Sequence, residues 1–258
     1  MRSFRRWLDD FRHPTVRRGR PEEVWLRLIE RLAPSRTFVD VGCMWKVDGA
    51  YAFHALAHGA TEVTGVDINP ATPEFEARNR AERNRVRFVQ ADLNDPELPA
   101  RVGSFDVVFC SGVLYHVPSM QQSLDQLRRL CRGTLILATA SITERETPNA
   151  AVFLPYMDPV ARDALNFVGP YRKRGLDSDI VPERGYANWL WLPTASCLRA
   201  MTRFAGFEVD ECIEHRRSTT IVARAATVAT RWGSNPPLDD ERASGPPARL
   251  ARAPERRA

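Results

Sequence analysis

The sequence predicts an α/β protein with a Rossmann-like, doubly wound, mostly parallel sheet and an inserted cap. Three observations carry this. Short apolar runs of strand length alternate with helical stretches between residues 37 and 140. The runs are apolar on both faces, as strands covered by helices on both sides require. An acidic residue stands at or near the end of each of the first three runs, Asp40, Asp67 and Asp92, about one β–α unit apart.

The elements follow in order. Residues 3–12 have the pattern of a short amphipathic helix. Pro21, followed by Glu22 and Glu23, opens a helix whose apolar stripe is Val24, Leu26, Leu28, Ile29 and Leu32, and Pro34 closes it. Strands are expected at 37–41, 62–67, 86–92, 105–110 and 134–138. Helices are expected at 50–58, ended by Gly59, at 73–84, and at 119–131, broken by Gly133. Residues 141–190 interrupt the alternation with five prolines and a series of aromatics, the pattern of a cap. A helix at 194–205 ends at Gly206, and two closing strands are expected at 207–209 and 218–222. The predicted organisation is a basic segment 1–20, a globular domain 21–227 with its insertion at about 141–190, and a disordered tail 228–258 that holds five prolines and no apolar period.

Hydrophobic residues are 43% and charged residues 27% of the 258, so bulk disorder and fibrous architecture are excluded. No apolar run approaches a membrane span, and residues 1–20 lack the apolar core of a secretory signal. The net charge of +5 sits at the ends: residues 1–20 carry +5 and 228–258 carry +2, leaving 21–227 close to neutral. Terminal arginines can meet phosphates or can simply be a solvated surface. Five cysteines without a C-x-x-C pair suggest neither a disulfide framework nor a zinc site, and fit a reducing, cytoplasmic setting.

In a doubly wound sheet the ligand sits at the carboxyl ends of the strands. Three carboxylates facing one crevice repel unless a ligand supplies donors or positive charge. A nucleoside with two ribose hydroxyls, an amino group and a cationic centre satisfies all three. A dinucleotide requires G-x-G-x-x-G after the first strand. The sequence there, Gly42 to Gly49, lacks the second and third glycines of that pattern, which favours a ligand without phosphate.

FVDVGC (38–43), VTGVDI (63–68), VQADL (89–93) and FDVVFCSGVLYHV (105–117) resemble, in order, the four motifs of class I S-adenosylmethionine-dependent methyltransferases. The resemblance covers about residues 21–140. It implies that fold, and S-adenosylmethionine as cofactor. It implies that Asp40, Gly42 and Cys43 lie at the methionine moiety, that Asp67 holds the ribose hydroxyls, and that Asp92 meets the adenine amino group. Ile68 and Leu93 would sandwich the ring, and Ser111 joins the cofactor contacts. The family's second loop glycine is displaced to Gly49 by the insertion 44–47. There Trp45 covers the pocket, or Lys46 contacts the methionine carboxylate, or the loop bulges outward.

A narrower resemblance joins GVLYH (112–116), WLPT (191–194) and AGF (205–207) to the catalytic module of the bacterial tRNA wobble-uridine carboxymethyltransferases. It implies a role for Tyr115 beside the donor's extra carboxylate, with Arg217 as the nearest match to a C-terminal arginine. The GVLYH stretch is shared with methyltransferases of ordinary cofactor use, so the expected donor is S-adenosylmethionine.

Tyr115 and His116 are the catalytic candidates: an aromatic beside the sulfonium, and a base for an acceptor hydroxyl. A structural role for His116 at the end of the fourth strand is the alternative. Tyr186, Asn188 and Trp189 are the substrate-contact candidates in the cap. His54 and His58 have metal-ligand spacing but no acidic partner in an H-E-x-x-H pattern, so a structural role is expected and no metal. Cys110 is expected in the core. The expected substrate is a small molecule, with RNA as the alternative partner and no membrane.

Overall fold

The computed structural model describes residues 20–144, 149–154, 190–215 and 217–226. The expected helix at 3–12, the tail, and most of the cap, including Tyr186, Asn188 and Trp189, lie outside the described residues.

The elements in chain order are α1 (Pro21–Leu32), β1 (Thr37–Val41), α2 (Ala50–Ala57), β2 (Glu62–Asp67), α3 (Pro73–Ala81), β3 (Val86–Gln90), α4 (Leu98–Val102) and β4 (Phe105–Ser111). A 3-10 turn follows at Leu114–His116, then α5 (Met120–Leu130), β5 (Cys131–Ala140), β6 (Ala151–Leu154), β7 (Leu190–Pro193), α6 (Ala195–Phe204), β8 (Phe207–His215) and β9 (Ser218–Ala225). Seven strands form one sheet in the order β3-β2-β1-β4-β5-β9-β8. β1 to β5 pair in parallel, and β9 runs antiparallel to both β5 and β8. The order reverses between β1 and β4, so the switch point lies there.

Each face of the sheet has its own core. α5 places Met120, Leu124, Leu127 and Leu130 along one buried stripe at helical spacing, against Val108, Leu135 and Leu137. On the other face Val24, Leu28 and Ile29 of α1 join Phe53 of α2, Phe38 of β1 and Phe109 of β4. Helix starts are held by side-chain caps: Thr72 Oγ1 accepts from the Phe75 N–H, Ser119 Oγ from Gln122, and Thr194 Oγ1 from Cys197.

Three expectations change. Gly133 does not end a helix: α5 stops at Leu130 and Gly133 lies inside β5, where an added Cβ would stand 2.3 Å from the Asp106 carbonyl oxygen. A glycine there lets β5 close on β4 beside the register shift between Phe105 and Val107. β8 extends to His215 rather than ending at Val209. The acidic residues interrupt its apolar run, but an edge strand needs only one apolar face. Finally, β6 and β7 at the margins of the insertion pair as a separate two-stranded sheet. Phe153 stacks on Trp191 with centroids 4.1 Å apart, and the Trp191 indole N–H donates to the Val117 carbonyl at 2.9 Å. That bond ties the small sheet to the loop after β4.

Among the described residues no helix is long and apolar enough to cross a membrane.

Candidate functional site

The carboxyl ends of β1, β2, β3 and β4 open onto one cavity of about 590 Å³, a size that suits a nucleoside-bearing ligand. Each strand end contributes through a local device. After β1 the chain turns at Gly42, with φ of +84°. Its N–H donates to the Val66 carbonyl at 2.8 Å, and an added Cβ would stand 2.2 Å from Val113 Cγ2. The β1 loop and the β4 loop therefore meet at a point only glycine can occupy.

β2 and β3 end in the same way. Asp67 Oδ1 accepts from the Asn69 backbone N–H at 2.8 Å and from Asn69 Nδ2 at 3.0 Å. Asp92 Oδ1 accepts from the Asn94 N–H at 2.7 Å. The D-I-N and D-L-N triplets thus form twin side-chain turns that aim two carboxylates at the cavity, with Ile68 and Leu93 beside them. Ile68 is 45% exposed, unusual for a large aliphatic side chain, and its exposed face offers a surface to a flat ring.

Asp67 Oδ2 also accepts from the Met44 N–H at 2.8 Å. That bond draws in the inserted loop, so the loop does not bulge outward: Trp45, Lys46 and Val47 all line the cavity. Lys46 Nζ lies 4.2 Å from the centroid of the Trp45 ring, within cation–π reach. Gly49, at the displaced glycine position, caps α2 and donates to the Cys43 carbonyl.

β4 ends in Ser111, and the 3-10 turn after it carries Tyr115 and His116, whose ring centroids are 4.1 Å apart. Both rings line the cavity. Gly42, Asp67, Ile68, Asp92, Leu93, Ser111, Tyr115 and His116 are therefore brought together at one wall.

Asp40 and Cys43 lie behind that wall rather than on it. Asp40 is 1% exposed. Its Oδ2 accepts from the Ala52 N–H at 3.2 Å, and its Oδ1 is buried without a hydrogen-bond partner among the described residues. Burial pushes its carboxyl up to about 8, against the Ala52 bond and with help from the Asp67 charge. The Cys43 thiol is fully buried against Gly65, and burial raises it far above the ordinary thiol range; Cys110 is raised for the same reason. Neither is poised as a thiolate.

The sequence pattern does not reveal the contribution of the first two helices. Glu22 and Trp25 of α1 and Tyr51 of α2 complete the cavity wall. The Trp25 indole N–H donates to Thr220 Oγ1 at 2.9 Å, and its ring meets Tyr51 and Phe109 edge-on. Burial, with the Glu22 and Asp40 charges, pushes the Tyr51 hydroxyl up to about 12. Glu22 in the sequence signals only a helix start. No local pattern says that this start faces a ligand.

The residues present fit a sulfonium nucleoside. Two carboxylates stand at adjacent strand ends with apolar side chains beside them, and an added Cβ at Gly112 would meet nothing within 4 Å, so backbone faces open space there.

Residues 39–137 match the family model described as a methyltransferase domain. Among curated proteins the chain is 30% identical to the tRNA U34 carboxymethyltransferase of Shewanella woodyi over 226 residues, which cover 84% of this chain and 56% of that protein. It is 38% identical to the enzyme of that name from Shewanella frigidimarina over 136 residues, 51% of this chain and 39% of that protein. The chain thus spans about half the length of the curated relatives it matches. Among solved structures, the N-terminal domain of EvdMO1 with S-adenosylhomocysteine bound superposes with a TM-score of 0.56 at 17% identity, covering 81% of this chain and 82% of that one. An S-adenosylmethionine-dependent methyltransferase from Mesorhizobium loti gives 0.53 at 18% identity, covering 80% and 98%. At such identities the likeness is one of fold. Residues 39–137, running from β1 into β5, thus form a methyltransferase domain, and the sheet order that surrounds them is that of the class I S-adenosylmethionine-dependent methyltransferase fold.

Proposed function

We propose that the chain transfers a methyl group from S-adenosylmethionine to a hydroxyl of a small molecule, such as a sugar or a secondary metabolite. The observation that supports this reading is the charge of the cavity wall. Glu22, Asp67 and Asp92 line it, against the single ammonium of Lys46 among the described residues. An acidic wall stabilises a cationic donor. A donor carrying an additional carboxylate would be repelled by it, and Arg217 is not among the lining residues.

When bound, the cofactor supplies an electrophilic methyl carbon on a positively charged sulfur. The chain's own residues bind, orient and exclude water. Asp67 and Asp92 accept from hydroxyl and amino donors, held in place by Asn69 and Asn94. Tyr115 offers its ring and hydroxyl dipole to the cationic end. His116, on the same turn, takes the acceptor proton.

Two measurements test the reading. Mass spectrometry of the ligand that copurifies is expected to return S-adenosylmethionine or its demethylated product, and a carboxylated analogue would overturn the donor assignment. His116→Asn is expected to lower kcat by about 100-fold or more while cofactor affinity stays unchanged. Unchanged turnover would remove it as the base.

A second reading, carboxymethyl or methyl transfer to a tRNA uridine, is favoured by the names of the curated relatives and by the GVLYH stretch. It requires RNA binding that weakens steeply with salt. No binding at low salt removes it.

A further inference from the structure

His54 and His58 occupy one face of α2 and its C-cap, a turn apart, and the sequence gives them no acidic neighbour at motif spacing. The fold supplies one from another helix. Glu30, in the last turn of α1, places Oε1 3.1 Å from His54 Nε2 and 3.8 Å from His58 Nε2. One ligand atom from each of the three residues lies within 4.8 Å of the others.

From this juxtaposition we infer that Glu30, His54 and His58 form a zinc site that fastens α1 to α2. Around a tetrahedral cation with ligand bonds of about 2.0–2.2 Å, neighbouring donor atoms stand roughly 3.3–3.5 Å apart. The two separations from Glu30, 3.1 and 3.8 Å, bracket that range. The tautomer is also set. His58 Nδ1 lies 2.9 Å from the His54 carbonyl oxygen. A carbonyl only accepts, so Nδ1 carries the proton and Nε2 presents its lone pair to the site. The two imidazole rings are 4.2 Å apart, an unfavourable arrangement for two cationic rings and a suitable one for two neutral rings sharing one dication.

Two imidazoles and a carboxylate favour a borderline-soft ion over Mg²⁺ or Ca²⁺, which demand more oxygen ligands. Water completes the coordination, because Glu30 and His58 are exposed and His54 is half-buried. The bare alternative is an ion pair of Glu30 with a protonated His54.

The test uses the full-length chain without an affinity tag, stripped with a chelator and titrated with ZnCl₂ by calorimetry at neutral pH. One equivalent is expected at micromolar concentration, undiminished by excess Mg²⁺. Glu30→Gln is expected to weaken it by more than about 10-fold, and the double variant His54→Asn, His58→Asn to abolish it. Equal circular dichroism and melting of the stripped proteins would show that the variants fold. An independent readout needs no variant. Of the five histidines, only the ring resonances of His54 and His58 should shift on zinc addition in NMR spectra. Shifts confined to His13, His116 or His215, undiminished binding by the double variant, or no binding at micromolar zinc would each overturn the inference.

Discussion

Asp67 accepts a hydrogen bond from the backbone N–H of Met44, joining the end of β2 to the loop inserted after β1. One carboxylate thus has two tasks. It faces the cavity, and it holds Trp45 and Lys46 against the cavity's mouth. Asp67→Ala is expected to remove both functions. Binding of S-adenosylhomocysteine, read by calorimetry, should weaken by at least about 10-fold, since a hydrogen bond to a charged group contributes about 1.5–3 kcal/mol. Tryptophan fluorescence should report a freer Trp45. Affinity within about twofold of the wild type would remove Asp67 from the binding site.

Gly42 tests the seam between the β1 and β4 loops. A Cβ at φ +84° would be strained and would stand 2.2 Å from Val113 Cγ2. Gly42→Ala should cost about 1–3 kcal/mol of stability, seen in urea denaturation. Adding Val113→Ala removes the collision but not the strain, so it should restore only part of the loss. Full stability of the single variant would mean that the two loops do not meet as described.

The parallel sheet was legible because its strands are short, apolar and separated by helices, and an acidic residue stands at or near the end of each of the first three. What stayed hidden depends on contacts between segments distant in sequence. Asp40 belongs to the same series of strand-end acids as Asp67, yet it lies inside β1, in register with Gly65 rather than Asp67, and faces Ala52 behind the wall. Trp25 is one tryptophan on an amphipathic helix until Thr220 fixes its indole. Glu30 and His54 have no sequence relation at all. β8 looks short in the sequence because an edge strand alternates polar and apolar residues, and its acids resemble a loop.

The opposite end of the sheet gives a contrast. Arg132 donates from Nε to Asp106 Oδ1 at 2.8 Å and from Nη2 to Thr37 Oγ1 at 2.9 Å, and the Thr37 N–H donates to Asp106 Oδ2 at 3.0 Å. The Arg132 side chain, with the Thr37 bonds, holds the Asp106 carboxyl well below its usual range. This stabilisation is present above the ordinary carboxyl range and is lost as the pH falls through the depressed value. The Arg132 side chain is 49% exposed, and solvent screens such a pair. Arg132→Ala should therefore cost no more than about 1 kcal/mol at pH 7. It should leave cofactor affinity unchanged, because the clamp sits at the amino ends of the strands. A tenfold change in affinity would contradict that separation.

Asp40 predicts the reverse pH dependence. Its carboxyl is pushed up to about 8 in the folded chain, from an ordinary value of 3.8. The folded state then holds a proton that the unfolded state has released over most of that interval, so stability falls as the pH rises. The favourable contribution is complete below the ordinary value and is lost by the time the pH passes the raised one. One proton gives a slope of up to about 1.4 kcal/mol per pH unit. Asp40→Asn keeps the shape, keeps an oxygen for the Ala52 N–H, and removes the charge. Urea denaturation of both proteins at intervals from pH 4 to 8.5 isolates this group, because the other titrations cancel in the difference. The variant should gain on the wild type steadily as the pH rises, and the gain should level off above about pH 8. A difference that stays constant across the range would mean that Asp40 is ionised throughout, and the orphaned Oδ1 would then need a partner within the fold.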